Sequence, residues 1–212
     1  MKVDIWSDVR CPFCYIGKRK FELALEKFEH KNQIQVEWHS FELDPQLETK
    51  VGVKVSDYVA EMKGLSNERM AQLNDHVAQA GAEVGLRFNF EDTVLANSFH
   101  AHRLIQLAKS MGIDNEIEEL LFHAYFVEGK NIDDLLVLKE LGIAAGIDSI
   151  TLDAMLNGFD FSNEVRADEQ IAQQIGISGV PFFVFDQKLA VSGAQPVETF
   201  FGAMEQAWGA KV

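Results

Sequence analysis

The chain has 212 residues, 47% of them hydrophobic, enough to bury the core of one domain or of one domain carrying an insertion. Asp and Glu outnumber Lys and Arg by 33 to 19, and the formal net charge of -14 repels nucleic acid and anionic lipid, so neither is expected as a principal partner. No basic stretch leads into an apolar run at Met1-Lys2-Val3-Asp4, and no segment reaches the length of a membrane span, so the cytoplasm is the expected location.

Val3-Asp4-Ile5-Trp6-Ser7-Asp8-Val9 reads as a strand, and Cys11-Pro12-Phe13-Cys14, which holds the two cysteines of the chain, follows it at the start of a helix over 12 to 30. Pro12 suits the first helical position, where its missing N–H costs nothing, and this places Cys11 at the N-cap. The unpaired N–H groups and the positive end of the macrodipole favour a thiolate there, so Cys11 is the expected nucleophile. Gly17, Phe21, Leu25 and Phe28 share the helical face of Cys14, which is therefore turned towards the core while Cys11 is open to a partner. Two cysteines supply half of a four-ligand zinc site and no second pair exists, so no metal is expected. Ordinary buried cysteines would rarely fall at this spacing on such a turn, and a redox dithiol is the preferred reading. Lys18-Arg19-Lys20 could add positive potential behind the thiolate, but a solvated helix face is favoured. Asp8 could accept a proton during exchange, against the commoner case of a solvated carboxylate at a strand end.

Residues 34 to 41 alternate as a second strand and complete a βαβ unit. Period-3.6 stretches near 57–63, 67–84, 97–110, 115–127, 133–141 and 149–156 predict a helical block, with Gly64, Gly85, Gly112, Gly129, Gly142 and Gly158 near the helix ends as C-caps. A helix over 162–175 leads to Pro181. Phe182–Phe185 and Leu189–Val191 then form a hairpin around Asp186-Gln187-Lys188, and a last helix runs from Val197 to Trp208. The order predicts an α/β sheet built from both ends of the chain, 1–54 and 158–212, around an inserted all-helical domain at 55–157 that forms a cap. Asn97 points inwards unless it caps its helix, and capping or a satisfied core amide explains it as well as substrate contact does. His100 and His102 sit in an ordinary amphipathic setting and read as structural.

These residues resemble the DsbA-like branch of the thioredoxin superfamily, and within it the cytosolic FrnE-type subgroup, which is related to hydroxychromene carboxylate isomerases and kappa-class glutathione transferases. The likeness rests on residues 7–19 around the cysteines, Ala96-Asn97-Ser98-Phe99-His100-Ala101-His102-Arg103-Leu104, residues 179–185 around Pro181, and Ser192-Gly193-Ala194-Gln195-Pro196. It implies a thioredoxin-like fold interrupted by the helical domain, with Cys11 attacking a disulfide and Cys14 resolving the mixed disulfide. It also implies that Pro181 is a cis-proline facing them, with the Val180 backbone free to pair with a substrate strand or with glutathione. From the residues alone Pro181 could as well open a strand. Pro12, Phe13, Val180, Pro181 and Asn97 are the expected substrate surface. No cofactor is expected to be held, glutathione being a candidate redox co-substrate, and the expected partners are protein or small-molecule disulfides. Phe13 replaces the histidine of the strongly oxidising periplasmic DsbA, which favours reductase or isomerase work. Glutathione-dependent isomerisation or transfer on a small organic substrate, and a non-catalytic client-holding role, are the alternatives.

Overall fold

The computed structural model describes residues 1–210. The elements in chain order are β1 (Lys2–Ser7), α1 (Pro12–Lys27), a 3-10 turn (Lys31–Gln33), β2 (Gln35–Ser40), β3 (Lys50–Lys54), α2 (Val55–Lys63), α3 (Asn67–Ala82), β4 (Val94–Leu95), α4 (Phe99–Met111), α5 (Asp114–Phe126), α6 (Leu135–Ala144), α7 (Ser149–Asn157), α8 (Ser162–Gln174), β5 (Phe182–Phe185), β6 (Leu189–Ser192) and α9 (Val197–Gly209). They form two compact units, one of Met1–Leu43 with the chain from Glu164 on, the other of Asp44–Asn163. The boundaries expected at 54/55 and 157/158 both lie inside the second unit.

The first unit is built on a sheet of order β2-β1-β5-β6, with β1 parallel to β2 and antiparallel to β5. Period-2 alternation gives β1 two faces. Val3, Ile5 and Ser7 share one, and it meets the aromatic core of Phe21, Phe183, Phe185 and Phe200 from α1, β5 and α9. Phe183 and Phe200 meet edge to face with centroids 4.6 Å apart. Each such ring contributes roughly 1.5–3 kcal/mol by leaving water. The other face carries Trp6 with Ala172 and Ile177, and it also holds a buried polar chain. His39 stacks on Trp6 at 4.4 Å, its Nδ1 lies 2.8 Å from Asp168 Oδ1 and its Nε2 2.8 Å from Asp4 Oδ1. Ionised carboxylates only accept, so an imidazolium donating on both sides satisfies this geometry. Trp6 Nε1–H donates to the Asp168 carbonyl at 3.2 Å, and Lys2 pairs with Asp4 and Glu37. Burial pushes the Asp4 carboxyl up, but the hydrogen bonds from His39 and Lys2 outweigh it and hold the group below its ordinary value.

In the second unit α4 is buried along most of its length, and α5, α6 and α7 pack around it. The buried Arg103 guanidinium donates to the carbonyls of Met155, Gly158 (2.8 Å) and Asp160 (2.9 Å), satisfying acceptors that the end of α7 leaves open. Ser66, Asp134 and Asp148 are N-caps whose side chains accept from backbone N–H groups. Gly64 and Gly112 are left-handed C-caps, as the sequence implied. Gly142 is a correction: it lies inside α6, where a β-carbon would collide with the Leu152 side chain, so close helix packing explains it. Gly158 does cap α7, but in extended backbone. The unit is also not all-helical. β3 and β4 pair as a small antiparallel sheet, and β3 is exposed throughout, so its Val51 and Val53 mark no buried face that a periodicity could reveal.

Candidate active site at the first strand-to-helix turn

Chain geometry fixes the turn before any side chain is considered. Cys11 is the N-cap of α1 with extended backbone (φ -94, ψ 109), and Pro12 follows in the first turn. The Cys11 N–H donates to the Asp8 carbonyl at 2.9 Å and the Cys14 N–H to the Cys11 carbonyl at 3.0 Å. The Asp8 carboxylate accepts from the N–H groups of Arg10 (3.0 Å) and Leu43 (2.8 Å) and is fully buried. The solvated carboxylate preferred from sequence is thereby corrected: Asp8 is a backbone clamp, because the amide N–H groups of Arg10 and Leu43 take the place of water at its two oxygens.

Both cysteines are free thiols. Cys14 faces the core at 1% exposure, on the stripe with Gly17 and Phe21. Burial, then the adjoining Cys11 sulfur and its charge, push the Cys14 thiol well above its ordinary value, while the Asp8 backbone N–H and the Ser7 hydroxyl pull the other way. Cys11 is only 5% exposed, so the open nucleophile expected from sequence is corrected too. The physical reason is the 180–181 loop: the Val180–Pro181 bond is cis, and the Cys11 thiol donates to the Val180 carbonyl oxygen at 3.6 Å. Pro181 is buried, and its carbonyl accepts from Gly193 N–H at 2.8 Å, which fixes the loop to the end of β6. The residues proposed from sequence around the dithiol, Cys11, Cys14, Val180 and Pro181, are thus brought together, and the half-exposed Phe13 adjoins them on α1.

The basic run is not a simple solvated face. Lys18 is 2% exposed and pairs with Glu22, Arg19 lies 5.1 Å over the Tyr15 ring, and Lys20 donates to the Ala194 carbonyl at 3.3 Å. Asn97 lies in the second unit and precedes the N-cap Ser98. Its Oδ1 accepts from Phe99 N–H at 2.7 Å, its Nδ2 donates to the Leu47 carbonyl at 3.0 Å, and its own N–H donates to Thr49 Oγ1 at 2.9 Å. That is a capping and loop-tying role. His100 Nδ1 lies 3.0 Å from Arg103 Nη1, and burial with the Arg103 charge holds it below the ordinary imidazole value against the pull of Asp133, while His102 is buried. Asp4, Glu37 and His39 each bring one possible metal-ligand atom within 4.8 Å of the others, but the Lys2 ammonium already pairs with both carboxylates. Sequence reasoning missed Ser7, although its strand parity with Val3 and Ile5 put it on the face that meets α1.

Comparison with known proteins finds likeness over nearly the whole chain. A probable DsbA oxidoreductase from Streptomyces coelicolor is 37% identical, with a TM-score of 0.94, covering 100% of this chain and 92% of that one. The uncharacterized protein YwbO of Bacillus subtilis is 26% identical over 206 residues, covering 93% of this chain and 92% of YwbO. The cytosolic disulfide reductase DsbM from Pseudomonas aeruginosa, in a structure with glutathione, has a TM-score of 0.64 at 17% identity, covering 99% and 96%, a likeness of fold. No described helix is long and apolar enough to cross a membrane. The model of the DsbA-like thioredoxin domain matches residues 2–205, and the chain belongs to that family.

Proposed function

We propose that the protein is a cytosolic thiol-disulfide oxidoreductase or isomerase whose Cys11 forms the mixed disulfide and whose Cys14 resolves it. One observation carries the reading: Cys11 stands at the N-cap of α1, its sulfur 3.6 Å from the Val180 carbonyl oxygen, with the buried thiol of Cys14 one turn inside. The Cys11 thiolate attacks a substrate disulfide, forms an S–S bond to one sulfur and expels the other as a thiolate, which takes a proton. Cys14 then loses its proton and attacks Cys11 Sγ. The Cys11–Cys14 disulfide forms, the second substrate thiol leaves, and the protein dithiol has given up two electrons. Pro12, Phe13, Val180 and Pro181 form the surface beside the sulfur on which a substrate rests.

Glutathione is the proposed small-molecule co-substrate, supported by the glutathione bound to the fold relative DsbM. The retained Cys14 favours dithiol exchange over chemistry needing a single nucleophile. The test is capture. Cys14→Ser incubated with oxidised glutathione should accumulate a stable adduct on Cys11 by intact mass, while Cys11→Ser should form none. An adduct on neither variant, or on Cys14 alone, would refute the assignment.

A further inference from the structure

Ser7 is 1% exposed, and its hydroxyl is buried with no hydrogen-bond partner among the described residues. Leaving a buried hydroxyl unpaired is unfavourable, so the site calls for an acceptor that forms during the reaction. Strand parity points Ser7 with Val3 and Ile5 towards α1, the helix that carries Cys14. The strand end is rigidly held: the Ser7 carbonyl accepts from Phe41 N–H at 3.1 Å, Ser7 pairs in register with Ser40, and Asp8 is clamped at both its carboxylate and its carbonyl.

We propose that Ser7 is a further catalytic residue of the exchange reaction, its hydroxyl donating, together with the Asp8 backbone N–H, to the sulfur of Cys14 as that sulfur becomes a thiolate in the resolving step. The inference rests on the dithiol reading above and deepens it. Cys14 has the harder ionisation of the cycle, since it must lose its proton inside the core, beside a Cys11 already committed to the substrate. The same two donors are the ones that favour its ionised form against burial. The electron balance is unchanged: Cys14 Sγ forms its bond to Cys11 Sγ, the substrate sulfur leaves with the electron pair of the broken bond, and the proton lost by Cys14 ends on that sulfur or in solvent. A donor at Cys14 accelerates this step alone, because Cys14 is a bystander when Cys11 first attacks.

The chromogenic aryl disulfide dithiobis-nitrobenzoate separates the two steps, releasing one coloured thiolate when Cys11 attacks and a second when Cys14 resolves. One hydrogen bond to a charged sulfur is worth about tenfold in thiolate population. A Brønsted slope of about 0.4–0.5 returns part of that as higher nucleophilicity. Ser7→Ala should therefore leave the first phase unchanged and slow the second about threefold at neutral pH, with the deficit closing and then reversing as pH rises and Cys14 ionises fully in both proteins. Ser7→Thr, which keeps the hydroxyl, should restore the wild-type profile. A second phase of wild-type rate and pH dependence in Ser7→Ala would overturn the proposal, as would equal slowing of both phases at every pH. If wild type showed no second phase at all, or Cys14→Ser released two equivalents, the dithiol reading itself would fall and this inference with it.

Discussion

Gly17 and Pro181 approach so closely that a β-carbon on the glycine would stand 3.0 Å from the proline Cγ and 3.4 Å from the Phe183 ring. The absent side chain on α1 is what allows the loop bearing Val180 to lie over the cysteines. Gly17→Ala should be nearly neutral in stability, because about 1 kcal/mol of gained helix propensity offsets the tight contact. Gly17→Val drives branched methyls into Pro181 and should cost about 1–3 kcal/mol in denaturant unfolding while slowing disulfide reduction. Full activity and stability in Gly17→Val would show that the loop is not seated on this glycine.

The two thiols should differ in reactivity. Burial and the neighbouring sulfur push Cys14 up, so at neutral pH it stays protonated and reacts slowly, and its alkylation should rise only well into the alkaline range. Peptide mapping after iodoacetamide treatment of the reduced protein should find Cys11 modified first. Equal rates at neutral pH would contradict the division of labour.

Phe13 is 42% exposed and lacks a proton to donate to the Cys11 thiolate. The reduction potential should therefore lie below the roughly -120 mV of DsbA, nearer the roughly -200 to -270 mV of glutaredoxins and thioredoxin. Phe13→His, a surface change, should raise it. Equilibration with glutathione buffers gives the value, and a wild-type potential at or above that of DsbA would defeat this argument.

His39 holds two buried carboxylates apart, so His39→Ala should cost about 3–5 kcal/mol by leaving Asp4 and Asp168 without their shared partner. The pH dependence follows from Asp4. A carboxyl held below its ordinary value stabilises the fold above that value, and the contribution is lost as pH falls through the depressed value. Thermal midpoints between about pH 6 and about pH 2 should therefore fall on the acid side, and Asp4→Asn should flatten that limb. An identical acid limb in Asp4→Asn would remove the assignment.

Asn97→Ala removes the Asn97 side-chain bonds to Phe99 and Leu47 and should lower stability by about 1–2 kcal/mol, with little effect on the first phase of thiol exchange. A raised KM with unchanged unfolding would instead mark Asn97 as a substrate contact.

Much of this arrangement is legible in the chain because local rules carried it. Pro12 after Cys11 located the helix start, the stripe of Gly17, Phe21 and Phe28 turned Cys14 inwards, and the alternation of β2 and the hairpin at Asp186-Gln187 followed from period 2. What escaped depends on contacts between distant segments. Nothing near Asp8 in sequence announces Leu43 N–H, and nothing near Cys11 announces the Val180 carbonyl that covers it. Gly142 reads as a helix end unless Leu152 is known to lie against it, and β3 has no buried face to reveal it. The meeting of Val180 with Cys11 was reached through family resemblance, since 169 residues separate them.

The hydrogen bond from Cys11 to Val180 gives the resting protein a form of self-occupancy. The carbonyl oxygen that the proposed function offers to an incoming strand is engaged by the protein's own thiol while that thiol keeps its proton. Once the proton leaves, the sulfur can no longer donate, and the acceptor is released as the nucleophile is armed. Under the proposed function, the ionisation that makes the sulfur a nucleophile would also free one of the two lone pairs on that oxygen for an incoming N–H, so reactivity and docking would rise together.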